Sequence, residues 1–163
     1  MIEIVLEALF YILPAYIANS SAVVFGGGAP LDMGKSFNGN RVLGDGKTFK
    51  GTFLGVLCGF LTGIILWLVI DNSVFLFLGL LVSVGALGGD IFASFLKRRT
   101  GVERGGPVPV LDQLDFVIGA VLIGSFLRAP SLEALTLILI VTPFIHLLTN
   151  IIGYSLGLKD KPW

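Results

Sequence analysis

Residues 51–70 read GTFLGVLCGFLTGIILWLVI, and residues 73–93 read SVFLFLGLLVSVGALGGDIFA. The first run carries no charge, the second only Asp90, and the link between them is Asp71-Asn72-Ser73. Each run is long enough to cross a hydrocarbon core, which takes roughly 20 apolar residues in a helix. A link this short makes them antiparallel neighbours. Three more apolar stretches, near 3–19, 113–128 and 132–154, give five expected spans, and these with their loops use the whole chain. The expectation is one all-α integral membrane domain over residues 1–163, with two long loops at 20–50 and 95–111.

Composition agrees. The 163 residues are 55% hydrophobic and 13% charged, with a mean hydropathy of +0.93, whereas soluble domains carry about 25% charged residues. Backbone groups in lipid must be satisfied internally, so the spans should be helices. The alternating pattern of an outer-membrane barrel is absent. Cys58, the one cysteine, can form no internal disulfide. The first stretch reads as a retained helix, since Glu3 and Glu7 stand where a signal peptide would be positive.

The net charge of zero hides a strong asymmetry. Of the 11 Lys and Arg residues, Lys35, Arg41, Lys47 and Lys50 lie in the first loop and Lys97, Arg98, Arg99 and Arg104 in the second. Lys159 and Lys161 are in the tail, and Arg128 alone is on the other side. Short basic loops stay cytoplasmic, so the N-terminus should be outside and the C-terminus inside. Span four is the shortest, with an apolar core of only Phe116–Leu127. It reaches across if the turn holding Asp112 and Asp115 lies below the membrane surface, buried in protein or in a wet cavity.

The first loop contains Gly26-Gly27-Gly28 and then Gly44-Asp45-Gly46-Lys47-Thr48-Phe49-Lys50. Glycines let backbone N–H groups approach an anion, and a helix N-terminus after Lys47 and Lys50 favours a phosphate. The plainer reading is a flexible loop with ordinary positive-inside lysines. A Walker A reading fails, because Arg41 stands where the first glycine is required. In the second region, Asp90, Ser94 and Lys97 fall on one helical face with Arg98 beside them. Basic residues snorkelling at a helix end would explain the cations but not Asp90. Asp112 and Asp115, three apart after the Gly- and Pro-rich run 105–110, share the start of the next helix. They could merely complement its dipole, or supply with Asp90 the hard oxygen ligands that Mg²⁺ prefers. Asn19, and His146 with Asn150 four residues on, could line a cavity or simply pack.

Ser94, Lys97-Arg98, a Gly-rich Pro turn and Leu111-Asp112-Gln113-Leu114-Asp115 together resemble the signature of CTP-dependent phosphatidate cytidylyltransferases. The chain departs from it at Gly105-Gly106-Pro107-Val108-Pro109-Val110 and at Gln113, and it is short. Those departures, with the Gly44–Thr48 run and the terminal Leu158–Trp163, are similar to the archaeal branch, the CDP-archaeol synthase family. The resemblance implies transfer of CMP from CTP to an unsaturated isoprenoid ether lipid phosphate, with Mg²⁺, releasing pyrophosphate. It implies Asp90 and Asp112 as metal ligands, with Asp115 a further ligand or a partner behind them, and Lys97 also catalytic. Lys47, Lys50, Ser94, Lys97 and Arg98 would hold phosphates, and Asn19, Gly26, Gly27, Gly28, Gly44 and Gly46 would shape the pocket.

The expected surroundings are the lipid bilayer of the cell membrane, with chemistry at the cytoplasmic face and no nucleic-acid partner; oligomerisation is left open. A CDP-alcohol phosphotransferase would show a string of aspartates on two adjacent helices, which is missing. A small transporter would place polar residues near the midplane, and a structural membrane subunit would not need the acids.

Overall fold

The computed structural model describes residues 1–102, 106, 108 and 110–158; Arg104, Gly105, Pro107, Pro109 and the tail from Lys159 to Trp163 lie outside the described residues. Among the described residues five helices form: α1 (Ile2–Val24), α2 (Phe49–Ile70), α3 (Val74–Arg99), α4 (Leu111–Gly124) and α5 (Leu132–Ser155). Four of them, α1, α2, α3 and α5, are long and apolar enough to cross a membrane.

The fourth expected span is shorter than the sequence reading had it. α4 ends at Gly124 rather than 128, and its 14 residues measure about 21 Å against a core of about 30 Å. Packing sets the depth at which this short helix sits. A Cβ on Gly89 would strike the backbone of Asp115, and one on Gly85 would meet Ile123, so α3 and α4 run antiparallel with Asp115 at the level of Gly89. From Gly89, α3 continues ten residues to Arg99, about 15 Å further. The first turn of α4 therefore starts well inside the bundle, beneath the ends of its neighbours.

The other bounds also shift. α1 runs to Val24 and α3 to Arg99, so both loops are shorter than 20–50 and 95–111, and Lys97, Arg98 and Arg99 are helical. Three cations in the last turn of α3 complement its negative dipole end. The first loop is not featureless. β1 (Ser36–Phe37) and β2 (Asn40–Arg41) pair antiparallel around Asn38-Gly39, both at positive φ, as a two-residue hairpin turn requires.

Close helix packing rests on glycine. Gly51, Gly55, Gly59 and Gly63 recur every fourth residue and are all buried on one face of α2. Cβ atoms there would meet the carbonyls of Ala22, Ala18 and Pro14 on α1, and the Gly79 backbone on α3, at 2.6–2.8 Å. In lipid, helices associate through such small-residue faces, since apolar surface alone gives them no reason to leave the tails. Two positions round from that stripe, Phe53, Leu57, Leu61 and Ile65 are exposed and face lipid. α3 is central, packing against α1, α2 and α4. The core joins Tyr11, Ile12 and Ala15 of α1 to Leu78, Val82 and Ala86 of α3, Phe116, Val117 and Ala120 of α4, and Ile138 of α5.

At the end away from the two loops, Glu7 accepts hydrogen bonds from the backbone N–H and the hydroxyl of Ser131, at 2.9 and 2.7 Å. The Ser131 hydroxyl in turn caps α5 by accepting from Ala134 N–H. Glu7 thus ties the start of α5 to α1.

Candidate active site

The recessed start of α4 leaves space between the C-terminal ends of α1, α3 and α5. A cavity of about 520 Å³ occupies it. Asn19 comes from α1, Gly46 and Lys47 from the loop before α2, Asp90, Ser94, Lys97 and Arg98 from α3, Asp112 and Asp115 from α4, and His146 and Asn150 from α5. Positions 90, 94 and 97 line it together, as their shared helical face requires.

Two ion pairs organise the charge. Lys47 Nζ donates to both oxygens of Asp90, at 2.7 and 2.5 Å. Lys97 Nζ donates to Asp112 Oδ1 at 2.6 Å, and Asp112 Oδ2 accepts the N–H of Val108 at 2.9 Å. All four charged side chains are about three-quarters buried or more, so each pair is screened less than a surface pair. Asp115 is buried, and its Oδ1 accepts from Phe116 N–H at 2.6 Å. Ser94 is buried beside them.

The α5 wall is polar at one-turn intervals. Thr142 shares a hydrogen bond with the Tyr16 hydroxyl at 2.7 Å, His146 stacks on Phe116, and the Asn150 amide meets His146 Nδ1 at 3.2 Å. Val23, Val24, Ile152 and Leu156 add apolar surface to the same cavity. One space therefore offers cations, carboxylates and hydrocarbon together, which suits a molecule with an anionic head and a greasy tail.

The structure does not bring every predicted residue to this space. Lys50 is exposed and off the cavity wall. Gly26, Gly27 and Gly28 turn the chain after α1, and Gly26 lies against Gly51 where α1 and α2 approach most closely. Gly44 is buried, but its N–H points to Asp32 rather than into the cavity. These glycines serve chain geometry, while Gly46 reaches the wall.

Sequence reasoning overlooked Asp32. Its side chain is 1% exposed and accepts from Arg41 Nε and NH2 and from the N–H groups of Gly34, Leu43 and Gly44. The Arg41 guanidinium foremost, with the three N–H groups, outweighs burial and holds this carboxyl well below the usual carboxylate range. The same contact raises Arg41 further. Thr48 was also missed as the cap of α2, its hydroxyl accepting from Gly51 N–H at 3.1 Å. An Asp with a basic partner nine residues on looks like any charged loop, and only the fold shows it buried.

The family model described as CarS-like, CDP-archaeol synthase, matches residues 1–163. The chain belongs to the CDP-archaeol synthase family. It is 46% identical over 174 residues to the CDP-archaeol synthase of Methanocaldococcus jannaschii, covering 99% of this chain and 98% of that one. It is 49% identical over 160 residues to that of Methanopyrus kandleri, covering 96% and 92%. It also superposes on the solved structure of an intramembrane enzyme for archaeal membrane lipids biosynthesis. That match has a TM-score of 0.84 and 40% identity, over 90% of this chain and 94% of that one.

Proposed function

We propose that this cavity is where the chain transfers CMP from CTP to the phosphate of an unsaturated isoprenoid ether glycerolipid, giving CDP-archaeol and pyrophosphate. Membership of the CDP-archaeol synthase family makes the chain a CTP-dependent cytidylyltransferase of archaeal membrane-lipid synthesis. The observation that carries the location is the pair of lysine–carboxylate contacts, Lys47–Asp90 and Lys97–Asp112, on one cavity.

In the reaction a lipid phosphate oxygen attacks the α-phosphorus of CTP. A new P–O bond forms, the bond to the bridging oxygen breaks, and pyrophosphate leaves in line. The protein's work is positioning and charge neutralisation. Lys47, Lys97 and Arg98 meet the phosphates, and Ser94 offers a hydroxyl donor. The N-terminus of α4, opening beside Asp112, adds a positive dipole end. The isoprenoid chains lie along Val23, Val24, Ile152 and Leu156.

Asp90, Asp112 and Asp115 have the donor chemistry that Mg²⁺ takes. Among the described residues, however, no three acidic, His or Cys side chains form a ready cage, and two ammonium groups engage Asp90 and Asp112. Asp90 and Asp112 would hold the ion only with Lys47 and Lys97 turned to phosphate oxygens. Bound Mg²⁺ would neutralise phosphate charge and orient the α-phosphoryl group.

The ten-to-one distribution of cations supports a cytoplasmic position for the cavity. A test is pyrophosphate release from CTP by purified protein in the presence of the unsaturated ether lipid phosphate. Release that requires the lipid and disappears in Asp90→Asn supports the reading. Lipid-dependent release at the wild-type rate in both Asp90→Asn and Asp112→Asn overturns the site.

A further inference from the structure

We infer that Arg99 is a positioning residue for CTP, acting through the loop that carries Lys47. This rests on the assignment of Lys47 to the CTP phosphates. Arg99 lies on the last turn of α3 but does not line the cavity as Lys97 and Arg98 do. Its guanidinium instead grips the hairpin: NH1 donates to Phe37 O at 2.8 Å, and NH2 to Asn40 O at 3.3 Å and Arg41 O at 2.8 Å. It also lies 5.3 Å from the ring centres of both Phe37 and Phe95, a distance at which cation–π attraction operates.

From the hairpin the hold passes inward. Arg41 on β2 donates to Asp32, and Asp32 accepts the N–H groups of Leu43 and Gly44. Leu43, Gly46 and Lys47 then reach the cavity. Lys47 is fixed on its other flank as well. Its carbonyl accepts from Leu31 N–H at 2.7 Å, Phe49 N–H donates to Ala29 O at 3.1 Å, and Thr48 caps α2.

One rigid helix thus carries Asp90, which receives Lys47, and nine residues further on Arg99, which holds the loop delivering Lys47. On a helix that separation is about 14 Å, and it fixes the loop's reach relative to the carboxylate. A lysine at 99 would keep the charge at this membrane face. It lacks the planar fork that meets three carbonyls between two rings.

The test is a double-mutant cycle between positions 99 and 47, with steady-state kinetics at saturating lipid phosphate. Arg99→Ala should raise KM for CTP about five- to tenfold with kcat within about twofold. Arg99→Lys should behave the same way, and it serves as the working variant if Arg99→Ala does not accumulate in membranes. In a Lys47→Ala background the substitution should add less than about twofold, because the group being positioned is gone. Full rescue by Arg99→Lys, or multiplicative effects of the two substitutions, would overturn the inference and leave the role of Lys47 standing. No change in CTP KM on Lys47→Ala would overturn that role, and the inference with it.

Discussion

Lys47 and Asp90, 43 positions apart in the chain, meet through both carboxylate oxygens at 2.7 and 2.5 Å on the wall of one cavity. The contact joins the loop before α2 to the middle of the bundle. Each partner neutralises the other's charge. Lys47→Ala is therefore expected to weaken CTP use at least tenfold. Asp90→Asn should lower kcat by roughly a hundredfold or more, the range for loss of a group that stabilises charge in the transition state. Steady-state pyrophosphate release checks both, and a thermal scan in detergent shows whether either variant has merely unfolded.

Lys97 and Arg99 are two residues apart with different surroundings: Lys97 meets Asp112 on the cavity wall, whereas Arg99 meets hairpin carbonyls. Lys97→Ala should lower kcat/KM for CTP several-fold more than Arg99→Ala. Comparison of the two rates, with lipid phosphate saturating, settles the order.

Gly59 and Gly63 face α1 and α3 with no room for a side chain. Gly63→Val should lower thermal stability in detergent by the roughly 1–3 kcal/mol or more that overpacking costs. Leu61→Val, on the lipid-exposed side of the same helix, should leave the melting temperature within about two degrees. Equal shifts would mean that the glycine face does not set the helix spacing.

Asp32 carries a pH signature. Its folded carboxyl is held below the usual range, chiefly by Arg41, so the unfolded chain takes up a proton first as pH falls. The resulting stabilisation is complete above the ordinary carboxylate pKa of about 4 and is lost only as pH drops through the lower folded value. Hydrogen exchange of the Leu43 and Gly44 amides should stay slow and free of any carboxylate titration from pH 7 down to about 5. Asp32→Asn should speed it throughout that range.

Much of the bundle was legible because membrane helices announce themselves by length and hydropathy, as residues 51–70 and 73–93 do. The cavity residues on α3 were legible too, since helical spacing alone puts 90, 94 and 97 on one side. Other features depend on partners distant in sequence. The depth of α4 follows from where Asp115 meets Gly89, which no local pattern states. The glycine stripe at 51, 55, 59 and 63 was open to view as a four-residue repeat, and Asn38-Gly39 was a readable hairpin turn; both were passed over in reading for charge. Lys50 and the glycines at 26–28 looked phosphate-binding by composition, but Gly26 lies against Gly51, Gly27 and Gly28 take the positive φ of the turn after α1, and Lys50 lies off the cavity wall.

The most direct measurement is a structure with CTP and Mn²⁺, the metal located by its anomalous scattering. Nucleotide should lie in the 520 Å³ cavity, with metal bound to Asp90 and Asp112, and with Lys47 and Lys97 turned from those carboxylates to phosphate oxygens. Nucleotide bound elsewhere, or both lysine–carboxylate pairs intact beside bound CTP, would contradict it.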